Sequence, residues 1–184
     1  MGTKGAETRQ RMIEATRSSI ERRGYFGTGL NQILTDSETP RGSLYFHFPG
    51  GKDELVAAAV TQARGLIDAA LDEADFTDPA AAVAGLIALL ADRLEASDWE
   101  NGCPVATVAL EVSGTNETVQ QACAQVYTRW TEALRIVLRA AGYQDADDLA
   151  VTLLALVEGA LLLARTHRSR DPLDRAARVA RTLL

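Results

Sequence analysis

Apolar residues recur at threes and fours along most of the chain, the period of an amphipathic helix. Ile13, Thr16 and Ile20 mark a first helix over 6–23, and Gly24 stands at its C′ position, where a glycine tolerates positive φ. Thr28 reads as the N-cap of a short helix over 29–36. Ser37, Glu38 and Thr39 then form a tight connection, and Pro40 suits the first turn of another short helix ending near Phe48. Pro49, Gly50 and Gly51 break the chain again. Leu55, Ala59, Gln62, Leu66 and Ala70 share one side of a helix over 52–75. Asp78 and Pro79 open the next, whose stripe is Val83, Leu86, Ile87, Leu90 and Leu94. After a loop over 97–104 comes a short helix ending near Gly114. Thr115 is the expected cap of the helix that follows, in which Val119, Cys123, Val126, Trp130, Leu134, Val137 and Ala141 line up. A helix over 145–168 is apolar on nearly all sides, and a last one runs from Asp171 to the end. The pattern predicts an all-α fold of about nine helices.

Composition supports this. Alanine occurs 31 times and leucine 23 times, against 18 valines and isoleucines together, and unbranched side chains lose less rotamer freedom in a helix. With 47% hydrophobic residues in 184, the chain is long enough for a real core, and disorder, collagen-like repeats and a disulfide scaffold are excluded. Cys103 and Cys123 are the only thiols and have no metal-ligand spacing, so they read as buried structural thiols in a reducing cytoplasm. The first residues, MGTKGAETRQ, lack the apolar stretch of a secretory signal. The longest apolar run, Leu149 to Ala164, contains Glu158 and falls short of the roughly 20 residues of a membrane span, so a buried helix and no membrane partner are expected.

Charge sharpens the picture. The total is −6, which by itself speaks against nucleic acid. Residues 1–52 carry +3, however, and residues 53–184 carry −9, and Lys4, Arg9, Arg11, Arg17, Arg22 and Arg23 crowd the first helix. A basic footprint at one end is compatible with nucleic acid despite the total.

The segment Thr28 to Phe48, TGLNQILTDSETPRGSLYFHF, has the outline of a helix-turn-helix, in which the second helix enters the major groove. Leu44 and Phe48, four apart, pack inward with Ile33, which leaves Arg41, Ser43, Tyr45 and His47 facing out as donors for phosphates and base edges. On outline alone a solvated amphipathic helix fits the same pattern.

Residues 13–55 resemble the DNA-binding domain of the TetR family of bacterial transcriptional regulators: ERRGY at 21–25, Thr28, Ile33, GSLYFHF at 42–48 and KDEL at 52–55. GTGLNQIL at 27–34, HFPGGK at 47–52, GCPVATVALE at 102–111 and EGALLLAR at 158–165 are similar to the LmrA/YxaF-like subgroup, so the resemblance covers most of the chain. It implies a three-helix DNA-binding domain over 6–66, with its helix-turn-helix at 29–48, and a helical effector-binding and dimerisation domain over 67–184. It puts Thr39, Arg41, Gly42 and Ser43 near base edges, Tyr45 and His47 on phosphates, and Lys52 on a phosphate at a helix N-terminus. Thr28 and Asn31 are further candidate contacts. Two departures stand out: Glu38 occupies a turn position where the family often has glycine, and the double glycine at 50 and 51 adds a residue before Lys52.

A reader of palindromic duplex DNA must hold two recognition helices about 34 to 36 Å apart. The all-apolar helix and the stripe Leu173, Ala177, Ala180 and Leu184 predict a four-helix interface between two copies, with Leu154, Leu161 and Arg165 on its other helix; the alternative is a helix covered within its own chain. The resemblance also implies a small-molecule effector. Leu66, Trp99, Cys103, Val105, Tyr127, Trp130 and Glu158 are the candidate lining, and three of the chain's ten aromatic residues among them suit a flat, mostly apolar ligand, although each also fits plain core. Glu158, in a leucine-rich helix, requires a partner, either an arginine across the dimer or an effector hydroxyl. The two histidines, His47 and His167, belong to no catalytic arrangement, and no enzyme activity, metal or cofactor is expected. The competing reading is a small-molecule carrier or helical adaptor that keeps this fold without binding DNA.

Overall fold

The structure, a computed structural model, describes residues 3–72 and 77–184. Every regular element among them is a helix: α1 (Thr3–Arg23), α2 (Leu30–Asp36), α3 (Arg41–His47), α4 (Gly51–Ala63), α5 (Gly65–Asp72), α6 (Pro79–Ala96), α7 (Pro104–Val112), α8 (Glu117–Ala140), α9 (Ala146–His167) and α10 (Asp171–Leu183). The all-α expectation holds with one division. The helix expected over 52–75 is interrupted at Arg64, where Gly65, a poor helix former, follows. Its expected continuation beyond 72, and the side chains of Leu66 and Ala70, lie outside the described residues.

Most helix ends follow from local chemistry. α1 stops at Gly24, which takes φ +69° and donates its N–H to the Ile20 carbonyl at 3.1 Å. Asp78 caps α6 by accepting from Ala81 N at 2.9 Å, with Pro79 at the first helical position. The Cys103 thiol does the same for α7, 3.4 Å from Ala106 N. The cap of α8 is Asn116, whose Oδ1 accepts from Val119 N at 3.1 Å, one residue after the expected Thr115. The Thr115 hydroxyl instead turns back to the Val112 carbonyl.

The chain divides into two compact units. The first takes residues up to Arg64 together with Cys103–Val126, and the second takes Gly65–Gly102 with Tyr127–Leu184. In the first, α1 packs on α4, α7 and α2, and the core holds Met12, Ile20, Ile33, Leu44, Phe48, Leu55 and Val56. Helix α7, outside the first domain expected over 6–66, buries Val105, Val108 and Val112 and packs against α1 and α4. In the second unit α10 lies against α6 and α9. Arg170 ties this packing at the surface, with its Nη1 2.5 Å from Asp92 and 3.1 Å from Glu95 on α6 and its Nε 3.3 Å from Asp174.

The inner face of α9 is Ala150, Leu153, Val157, Leu161 and Ala164, all buried. This corrects three assignments to an interface between copies. Leu161, Leu173 and Ala180 belong to the chain's own core, because α10 and α6 cover that side. Leu154, Arg165, Ala177 and Leu184 are half-buried. The uncovered apolar side of α9 carries Val151, Leu162 and Leu163, and that of α10 carries Val179 and Leu183.

Phe48 is among the largest side chains fully removed from water. Phe48→Ala is expected to cost about 3–5 kcal/mol, through lost burial and the cavity left behind, as read by urea unfolding.

Candidate nucleic-acid interface

Helices α2 and α3 are seven residues each and are joined through Ser37, Glu38, Thr39 and Pro40. The turn is closed by Ser37 N donating to the Ile33 carbonyl at 2.9 Å and Thr39 N donating to the Leu34 carbonyl at 2.9 Å. Glu38 sits in the left-handed region at φ +50°, the conformation that explains glycine at this position of the motif. Leu44 and Phe48 point into the core, so Arg41, Gly42, Tyr45 and Phe46 are left in solvent, with Ser43 and His47 half-buried. At Gly42 an added Cβ meets nothing within 4 Å, so the backbone at the start of α3 is open to a ligand's close approach. Asn31, on the first turn of α2, is also exposed.

Two expected contacts are corrected. Thr28 is fully buried: its hydroxyl donates to the Gly24 carbonyl at 2.7 Å and pairs with the Ser19 hydroxyl at 3.0 Å. It latches the loop after α1, and the N-cap of α2 is Gly29. Thr39 is 6% exposed and donates to the Ser37 carbonyl at 3.0 Å, so its side chain serves the turn. Conversely, Phe46 is 74% exposed and was not among the expected contacts. The same i, i+4 spacing that turns Leu44 and Phe48 inward turns Phe46 outward. Its ring meets His47 edge-on at 4.9 Å, on a surface where a thymine methyl or a sugar would find an apolar partner. His47 stands 3.8 Å from where a Cβ on Gly5 would lie, and the Arg9 guanidinium sits 4.9 Å from the Phe48 ring centroid, so the first turns of α1 border α3.

The extra glycine before Lys52 is absorbed by backbone conformation. Gly51 takes φ +68° and begins α4, Gly50 is the N-cap, and the Gly50 N–H is held by Glu54 Oε2 at 2.8 Å. Lys52 therefore stands in the first turn, with its Nζ 4.2 Å from the Tyr25 ring centroid. Partial burial pulls the Lys52 ammonium below its ordinary range, and the neighbouring charges of Asp53 and Glu111 pull it back up. The Tyr25 hydroxyl donates to Asp53 Oδ1. Burial first, then that bond and the Asp53 charge, push the phenol up to about 12.

Of the expected effector residues, the structure brings Tyr127 and Trp130 together, edge to face at 5.8 Å on α8. Trp130 is 6% exposed, and its indole Nε1 is buried with no hydrogen-bond partner among the described residues. Trp99 is half-buried in the loop after α6 and carries φ +65°, next to Asp98 at φ +50°. Glu158 is half-buried on α9, Val105 is fully buried on α7, and Cys103 is the cap of α7. Leu66 lies in α5 with its side chain outside the described residues. Arg165, expected between copies, bonds through Nη2 to the Glu100 carbonyl at 2.7 Å.

Residues 12–59 match the family described as bacterial regulatory proteins, tetR family, and residues 79–179 match the LmrA/YxaF-like transcriptional regulator C-terminal domain. The HTH-type transcriptional regulator LmrA of Bacillus subtilis (strain 168) is 32% identical over 171 residues, 91% of each chain. The uncharacterized HTH-type transcriptional regulator Rv0196 of Mycobacterium tuberculosis is 33% identical over 183 residues, covering 96% of this chain and 93% of that one. Among solved structures, a regulatory protein TetR from Rhodobacter sphaeroides shares the fold with a TM-score of 0.84 at 24% identity, over 94% of this chain and 96% of that one.

Glu38→Gly is expected to relieve left-handed strain worth about 1 kcal/mol and to raise Tm by roughly 2–4 °C in a thermal melt. An unchanged or lower Tm would mean that the Glu38 side chain stabilises the turn in a way its backbone angles do not reveal.

Proposed function

The chain belongs to the tetR family of bacterial transcriptional regulators, which are not enzymes, and from that premise we propose that it is a cytoplasmic, homodimeric repressor of a palindromic operator. The observation that carries the DNA-reading part is the exposed row Arg41, Gly42 and Tyr45 on α3, whose opposite side is locked into the core by Leu44 and Phe48. Arg41 is the base reader, since a guanidinium pairs with both acceptors of guanine. Asn31, Ser43, Tyr45, Phe46 and His47 border it, and Lys52 grips phosphate. Repression is the simpler output: occupying a promoter excludes other proteins without any further contact, whereas activation requires one.

Dimerisation is supported by Val151, Leu162 and Leu163 on α9 and Val179 and Leu183 on α10, large apolar side chains between 39% and 58% exposed in the single chain. Helix α9 is also long and apolar enough to cross a membrane by composition alone. Pairing these faces with their copies removes them from water and makes a lipid environment unnecessary. The effector is a small, mostly apolar molecule released or bound as conditions change. Its anchor is Trp130, whose indole N–H has no partner among the described residues and gains one from any ligand carrying a hydrogen-bond acceptor beside a flat apolar body.

For a duplex selected from a random library, Arg41→Ala should weaken binding by about 1–3 kcal/mol per contacted guanine and relax preference at that base pair, measured by fluorescence anisotropy. Retention of full affinity by Arg41→Ala combined with Tyr45→Ala would reject this face as the reader. A folded wild-type protein that binds no duplex at any salt concentration would favour a carrier or adaptor. In sedimentation, Val151→Glu with Leu162→Glu should convert a dimer to a folded monomer; a dimer that survives both changes places the interface elsewhere.

A further inference from the structure

Two stretches far apart in the chain converge on Tyr25. The Tyr25 phenol hydroxyl donates to Asp53 in the first turn of α4. On α7, Glu111 Oε2 accepts from Phe26 N at 2.9 Å, and its other oxygen lies so close to Gly24 that a Cβ there would fall 2.1 Å from it. The loop that carries Tyr25 is thereby held from α7, and the Tyr25 hydroxyl is held by the start of α4.

The ring so fixed lies under the Lys52 ammonium. Lysine has a flexible four-carbon stem, so its strength as a phosphate ligand depends on how far that stem is organised before binding. The first turn of α4 does little of this itself. It begins at a glycine in the left-handed region, and its N-cap, Gly50, has no side chain with which to bond the helix. The Glu54 bond to Gly50 N is local and does not involve Lys52.

We infer that Glu111 is a positioning residue for DNA binding: by holding the loop that carries Tyr25 it sets where Lys52 stands for its phosphate. This rests on the DNA-binding reading above. The direction of the effect is distinctive. Removing a carboxylate near a DNA-binding surface ordinarily strengthens binding, because the carboxylate repels phosphate. Loss of Glu111 should weaken it here.

The experiment measures the slope of log affinity against log salt for the full-length protein on its selected duplex, because each phosphate contact contributes about 0.9 to that slope. Lys52→Ala should flatten the slope by about two for a dimer, one contact per subunit. Glu111→Ala should flatten the slope in the same sense. Glu111→Gln, whose amide oxygen still accepts from Phe26 N, should keep the wild-type slope. Glu111→Ala should not flatten it further in a Lys52→Ala background, and it should leave base preference intact. The inference is overturned if Glu111→Ala keeps the wild-type slope, if its effect adds to that of Lys52→Ala, or if Glu111→Gln behaves like Glu111→Ala. Should Lys52→Ala leave the slope unchanged while Arg41→Ala still weakens binding, DNA reading by α3 stands and the positioning role falls. Failure of the wild-type protein to bind any duplex removes both.

Discussion

A seven-residue helix does not persist in water by itself, because nucleation costs more than so few backbone bonds return. Helices α2 and α3 are both of that length, and neither has a side-chain cap. They exist because Ile33, Leu44 and Phe48 are taken entirely, or almost entirely, out of water, each worth roughly 1.5–3 kcal/mol of burial. The exposed face of the helix-turn-helix depends on that constraint. Once Leu44 and Phe48 face inward, the helical period decides that Arg41, Tyr45 and Phe46 face outward, and the turn must close in the few residues between Asp36 and Arg41. The left-handed backbone of Glu38 is the consequence of that closure.

The other constraints concern charge and exposed apolar surface. An acidic chain can bind a polyanion only where its acids are few or occupied, and the +3 balance of residues 1–52 against −9 over the remainder meets that condition. Two acids whose charges act on Lys52 are occupied: Asp53 accepts from Tyr25 and Glu111 from the backbone of Phe26. In the second unit, α9 spends one face on α6 and α10 and keeps Val151, Leu162 and Leu163 exposed on another. That second face is a reason for self-association that composition supplies and the single chain leaves unmet.

Much of this was legible in the linear pattern. Gly24, the Asp78-Pro79 pair and the threes-and-fours spacing locate helix ends within a few residues, because those signals act on their own backbone neighbours. The inward turn of Leu44 and Phe48 was legible for the same reason. Thr28 and Thr39 were not, since a threonine at a helix start serves equally as a cap, a DNA contact or a latch, and only the nearby Gly24 and Ser37 carbonyls decide in favour of the latch. Phe46 was passed over because an apolar side chain beside buried ones reads as core.

The sequence by itself determined the helical class, the helix-turn-helix and the outward row on α3, because each follows from interactions within a few residues. Which side of α9 is covered was decided by tertiary structure alone. A helix apolar all round has no periodic signal to orient it, and the packing of α6 and α10 put Leu161 inside and Leu162 outside. The meeting of Tyr25, Lys52, Asp53 and Glu111 was likewise beyond the linear pattern, because Phe26 and Glu111, 85 positions apart, are joined only when α1, α4 and α7 share one core.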